Sequence, residues 1–158
     1  MTTNTKLAYL AGIIDGEGCF NIYRSGKRPR VDYALRVQIM NTSEALTDWL
    51  IANFGGTVIK RPSNFGWKTR YEWFFCKSQI DELIVLTLPY LVIKTKQAQV
   101  ALAFRKTFLV REHPLSAKTR ELRESLYLQM RVLNAKGHIK EPSPLSPAAG
   151  LPSRSERV

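Results

Sequence analysis

Between Leu7 and Phe20 the chain reads LAYLAGIIDGEGCF, and this stretch constrains the fold most because the apolar period has to change inside it. Leu7 to Ile14 repeats apolar residues without a proline and predicts a helix, with Thr5 or Asn4 as its cap. Asp15-Gly16-Glu17-Gly18 then sets two carboxylates beside two glycines where that helix has to stop. Glycine lets the backbone turn sharply, so carbonyl oxygens can join the carboxylates. Oxygen clusters of that kind hold Mg²⁺. Ala8 and Gly12 are four apart and share a face, with Ala11 in the same small-residue run, while Leu7, Leu10 and Ile14 form a larger apolar face. Two readings stay open: a core helix closed by glycine, and a helix whose small face admits a second helix so that two acidic ends converge.

Charge narrows the partners. The 158 residues carry 24 Lys and Arg against 13 Asp and Glu, a formal net charge of +11. An excess of that size fits a polyanion, because each phosphate neutralised releases a counterion; a generic basic surface or an anionic membrane is the alternative. The charge is also local: Arg24, Lys27, Arg28, Arg30 and Arg36 are opposed in their stretch only by Asp32. No run approaches the roughly 18 apolar residues of a membrane span, and no signal-peptide pattern opens the chain, so an intracellular protein without a membrane partner is expected. Cys19 and Cys76 have neither CxxC spacing nor a histidine neighbour, which argues against zinc and for buried, reduced thiols. His113 and His138 stand alone and receive no role.

After Phe20 the pattern alternates. Phe20 and Ile22 point one way, Asn21 and Tyr23 the other; beyond a basic turn, Tyr33, Leu35, Val37 and Ile39 alternate with Asp32, Ala34, Arg36 and Gln38. This predicts a hairpin with one polar face. Thr42 and Ser43 suit the cap of a helix that Gly55-Gly56 ends. A second hairpin is expected from Thr57 to Arg61 and from Trp67 to Cys76, with Lys68, Arg70 and Glu72 outward and Trp67, Thr69, Tyr71 and Trp73 inward. Helices follow from Ser78 to Leu88, within Val92 to Phe108, and from a Ser116 cap to about Asn134, where Leu122, Leu126, Met130 and Leu133 form a packing stripe. The order αββαββα predicts an α+β fold: an antiparallel sheet with helices on one face and a curved, basic face suited to the DNA major groove. Residues 1–141 read as one domain and 142–158, rich in Pro and Ser, as a disordered tail.

Leu10-Ala11-Gly12-Ile13-Ile14-Asp15-Gly16-Glu17-Gly18 resembles the signature nonapeptide of the LAGLIDADG homing endonucleases, and the element order extends that resemblance over most of positions 5 to 135. The resemblance implies a DNA-binding saddle with the motif helix at a two-fold interface made by Ala8, Ala11, Gly12 and Asp15, the last helping to cap and join the helices. It implies divalent metal, Mg²⁺ or Mn²⁺, on Glu17 and the Gly16 carbonyl. Many members carry Asp where this chain has Glu17, whose extra methylene moves the carboxylate outward by about a bond length. By alignment with the family, a basic catalytic residue falls on Lys94, with Lys96 as second choice, and a water-organising polar residue on Asn41. Lys94 as a solvated helix-start lysine and Asn41 as a capping residue stay open as alternatives. A further basic residue of the family pattern has no counterpart, since Ala45 and Leu46 stand in its region.

Only one copy of the motif occurs, and single-motif members act as homodimers, so a homodimer on double-stranded DNA is expected, with no small-molecule substrate. The outward positions Asn21, Tyr23, Arg36, Gln38, Arg61, Lys68, Arg70 and Glu72 are the expected DNA contacts, because Arg and Gln can pair with guanine and adenine edges. Lys27, Arg28 and Arg30 are expected on phosphates. The activity implied is an intron-encoded, Mg²⁺-dependent endonuclease that cuts both strands of a long, nearly palindromic site. The alternatives are an RNA maturase of the same fold and a DNA-binding protein that does not cut; retention of Glu17 favours cutting, since a carboxylate facing phosphate repels it.

Overall fold

The computed structural model describes residues 2–27, 30–63, 66–76, 79–109 and 115–135. Its elements are α1 (Thr3–Glu17), β1 (Gly18–Lys27), β2 (Arg30–Asn41), α2 (Glu44–Phe54), β3 (Thr57–Arg61), β4 (Arg70–Phe75), α3 (Ile80–Thr87), a 3₁₀ turn (Leu88–Tyr90), α4 (Thr95–Lys106) and α5 (Ala117–Asn134). The expected α+β order is present. Arg28, His113, His138 and the 142–158 tail lie outside the described residues.

The strands form one antiparallel sheet in the order β1-β2-β4-β3. Strand alternation sends Phe20, Ile22, Leu35, Val37, Ile39, Trp73 and Phe75 to one face, where they meet Leu10, Ile14, Leu50, Ile84, Phe104 and Met130 from the helices in a single core. Burying each such side chain is worth about 1.5–3 kcal/mol, which fixes the register, because a one-residue slip would expose the whole set. Among the described residues no helix is long and apolar enough to cross a membrane.

Local chemistry sets the boundaries. The Ser43 hydroxyl accepts from the Leu46 amide at 3.3 Å and the Ser116 hydroxyl from the Thr119 amide at 3.2 Å, as caps require. Thr2, rather than Thr5 or Asn4, caps α1 by accepting from the Thr5 amide. At the far end of α1 glycine is obligatory: a Cβ on Gly18 would lie 2.6 Å from the Ile14 Cα. Gly56, at φ +95°, sits where a Cβ would lie 2.8 Å from Trp73 Nε1, and that indole N–H donates to the Gly55 carbonyl at 2.8 Å.

Several expectations are corrected. β4 begins at Arg70, not Trp67; Trp67 is 79% exposed in the connection from β3. The α5 stripe holds Leu126 and Met130 but not Leu122, which is 49% exposed. Arg123 is buried in its place, where its guanidinium donates to the Thr107 hydroxyl at 2.9 Å and carbonyl at 3.1 Å. Cys76 is exposed and Cys19 half-buried, so neither is the buried thiol expected from the sequence. The Tyr33 hydroxyl, donating to Glu124, ties β2 to α5; burial first, then this carboxylate, push the phenol up to about 12.

Candidate active site and nucleic-acid interface

The last turn of α1 brings backbone and side-chain oxygens to one end of the sheet. The Gly18 amide donates to the Ile13 and Ile14 carbonyls and closes the helix. Asp15 turns back into its own chain: its carboxylate accepts from the backbone amides of Val92 at 2.7 Å, Ile93 at 3.2 Å and Lys94 at 2.9 Å. These amides lead into α4, whose N-terminus favours a negative charge. Burial raises the affinity of Asp15 for a proton, but the three amides and the Lys94 ammonium outweigh it and hold the carboxyl below its ordinary value. Asp15 therefore caps a loop within the protomer.

The same loop carries Lys94, whose ammonium donates to the Asp15 carbonyl. The structure thus brings Lys94 within two residues of Glu17 along the motif, while Lys96 lies exposed on the first turn of α4. Gly16 and Glu17 are exposed. Asn41 ends β2, and since Gly18 pairs with Ile39, Asn41 lies at the same end of the sheet as Glu17. Its side-chain oxygen accepts from the Ser43 amide at 2.9 Å, an Asx turn just ahead of α2, whose cap is Ser43 itself.

Ala8 and Gly12 lie on the exposed side of α1, and a Cβ on either Gly12 or Gly16 would meet nothing within 4 Å. Ala11, grouped with them on sequence, leaves that face: it is fully buried in the protomer's own core. Val92 and Ile93, 85% and 70% exposed, add apolar surface beside this helix end. Sequence reading missed them, although two apolar residues in the loop just ahead of a helix were the available signal.

On the open face of the sheet, Asn21, Tyr23, Arg36, Gln38, Arg61, Arg70 and Glu72 all share the outward set of the alternation. Arg36 is held between two rings, 4.7 Å from the Tyr23 centroid and 4.4 Å from that of Phe74. Phe74 is a contributor that the sequence pattern did not single out. Glu72 faces outward by register but is only 9% exposed, with both carboxylate oxygens engaged by Gln38 and Arg61. Lys68 sits off the strand, in the connection with Trp67, where Thr42, Pro62, Ser63, Gly66 and Arg70 complete a cavity of about 750 Å³. Lys27 and Arg30 form the last pair of the β1–β2 ladder.

No protein-family model and no curated protein matches the chain. Solved structures do. The homing endonuclease I-CvuI in complex with its target is 21% identical, with a TM-score of 0.70 over 88% of this chain and 87% of the other. The archaeal intron-encoded homing endonuclease I-Vdi141I complexed with DNA is 15% identical, with a TM-score of 0.73 over 89% and 91%. The LAGLIDADG homing endonuclease I-SmaMI bound to cleaved DNA is 16% identical, with a TM-score of 0.65 over 82% of this chain and 45% of that one. A four-stranded antiparallel sheet backed by helices and led by a glycine-ended acidic helix is, in this chain, the LAGLIDADG homing-endonuclease fold.

Proposed function

We propose that the chain is a site-specific, intron-encoded double-strand DNA endonuclease that works as a homodimer with Mg²⁺ or Mn²⁺. The observation that carries this reading is the motif helix, whose open small-residue face runs into an exposed Glu17 at one end of a sheet bearing Arg36, Arg61 and Arg70. Glycine in a helix costs about 1 kcal/mol against alanine, and inside this protomer nothing crowds Gly12. Close approach by the same helix of a second copy supplies the missing reason, and the exposed Val92 and Ile93 extend the surface it would cover.

The donor chemistry fits a shared cation. One chain offers the Glu17 carboxylate and the Gly16 carbonyl, fewer oxygens than the six Mg²⁺ takes, and among the described residues no three His, Cys, Asp or Glu side chains cluster. A second copy, a DNA phosphate and water would complete the set. When bound, the cation supplies charge neutralisation at the scissile phosphate and a more acidic water. Glu17 serves as its anionic anchor. Lys94, leashed to the Asp15 carbonyl, sets a positive charge where the phosphate gains negative charge. Asn41, its oxygen fixed by Ser43, holds water in place. The sheet arginines and Gln38 meet base edges, and Lys68 meets phosphate.

Incubating the protein with a duplex library carrying a long, two-fold-symmetric randomised insert, with Mg²⁺ and with EDTA, tests this. Both strands of a selected site should be cut only with the cation, and Glu17→Gln should bind that site without cutting it. Cutting by Glu17→Gln, or retention of no duplex at all, overturns the reading.

A further inference from the structure

A line of side-chain hydrogen bonds crosses every strand of the open face. The Tyr23 hydroxyl on β1 donates to Gln38 Oε1 at 2.7 Å, and Gln38 Nε2 on β2 donates to Glu72 Oε1 at 2.8 Å. From β3, Arg61 Nε and a terminal guanidinium nitrogen each donate to Glu72 Oε2 at 3.3 Å. Glu72, on β4, is the only buried member of the four. We infer that Glu72 is a positioning residue that fixes which hydrogen-bonding groups Gln38 and Arg61 present to base edges, so that the two positions they read are specified jointly. The inference rests on the endonuclease reading only in taking duplex DNA as the partner.

The chemistry is directional. An ionised carboxylate only accepts, so Oε1 of Glu72 can face nothing but the amide NH₂ of Gln38. That leaves the amide oxygen toward Tyr23, whose hydroxyl donates to it. With both ends held the amide cannot flip, since a flip would set two acceptors against each other. One N–H and one lone pair then remain for the groove, the pair that adenine takes at its major-groove edge. On the other oxygen Glu72 engages one edge of the guanidinium and leaves the remaining terminal nitrogen to guanine or phosphate. Arg61 in turn neutralises a carboxylate that would otherwise repel DNA. A direct contact from Glu72 to cytosine would require an oxygen to leave Gln38 or Arg61.

Glu72→Gln keeps the shape but presents one oxygen and one NH₂, so Arg61 keeps an acceptor only with the new NH₂ toward Gln38, whose amide must then flip, donate to the Tyr23 oxygen and offer the groove the reversed pair. The test is selection from a fully randomised duplex library in EDTA, run with wild type, Glu72→Gln and Tyr23→Phe, followed by affinity for single-base variants of the wild-type consensus. Wild type should yield a consensus. Glu72→Gln should lose about tenfold of base discrimination at two positions together and keep the rest of the consensus. Tyr23→Phe, which removes one hydroxyl from an exposed side chain and leaves the core intact, should lose discrimination at one of those two positions. A merely structural role for Glu72 would weaken all sequences evenly. Even weakening, an unchanged consensus, or loss at one position only in Glu72→Gln overturns the inference; if Glu72→Gln fails to fold, an unchanged consensus in Tyr23→Phe does so. A wild type that selects no duplex overturns the endonuclease reading instead.

Discussion

The end of α1 and the open face of the sheet are both polar and both belong to the proposed site, yet they are held by different means. At the helix end the main chain does the holding: three backbone amides fix Asp15, its carbonyl takes Lys94, and Gly18 lies against the Ile14 backbone. On the sheet, side chains hold side chains, as when Glu72 engages Gln38 and Arg61 or two rings clamp Arg36. Backbone contacts cannot be exchanged without moving an element, whereas side-chain contacts can be redrawn one residue at a time. Chemistry at a phosphate tolerates displacements of about half an ångström, so the rigid arrangement suits the reacting end. Recognition of a changing target suits the other. Substitutions that break the backbone contacts of the helix end should therefore register as stability, and substitutions on the sheet face as base preference.

The largest effect expected is from Asp15→Ala, which leaves three amides at the start of α4 without their acceptor. It should lower stability by about 2 kcal/mol in urea unfolding at neutral pH, in the upper range for a lost cap. The pH dependence sharpens this. Because folding lowers the Asp15 pKa below its ordinary 3.8, the unfolded chain binds the proton more readily, and stability rises with pH through that window. The Asp15 contribution is complete above the ordinary value and is lost as pH falls through the lowered one. The gap between wild type and Asp15→Ala should accordingly shrink as pH falls below about 5. A gap that is constant with pH would mean that the amides are satisfied by water, and that the helix end is no more rigid than the sheet.

Gly12 gives a smaller effect with a split sign. Gly12→Ala meets nothing within 4 Å and should stabilise the protomer by about 1 kcal/mol through helix propensity. Gly12→Leu fills the same open space and should abolish sedimentation as a dimer. If Gly12→Leu sediments as wild type does, the open face of α1 is not where two copies meet.

The nonapeptide was legible because its logic is contiguous: the helix, its glycine stop and its acids lie within a few residues. The sheet was legible from alternation, and the β1–β2 hairpin has its expected faces. Alternation misled at Trp67 to Thr69 because it marks a strand only where a partner continues, and β3 ends with Arg61 opposite Arg70. The family resemblance groups Ala11 with Ala8 and Gly12 at the interface, but Ala11 is turned into the core, away from the face those two share. Arg123 could not be found from its own helix, since the groups that receive its guanidinium include Thr107 and the Phe108 ring, just past the end of α4. The partners of Glu72 were hidden likewise: they come from two other strands, and only the register brings them together.

The smallest effect expected comes from Lys68, and it tests the division between reading and anchoring. Lys68 is exposed, off the strand, and beside an exposed Trp67, and among the described residues no ladder or ring fixes its ammonium toward a base edge. Lysine is a point charge on a flexible stem, which neutralises phosphate without sensing sequence. Lys68→Ala should leave stability within about 0.5 kcal/mol of wild type. It should weaken binding evenly across duplex variants and reduce the slope of log affinity against log salt by about 1, read by titration at several salt concentrations. Were Lys68→Ala to shift base preference instead, the β3–β4 connection would belong with the reading strands, and the contrast between fixed and exchangeable contacts would have to be redrawn with that loop on the fixed side.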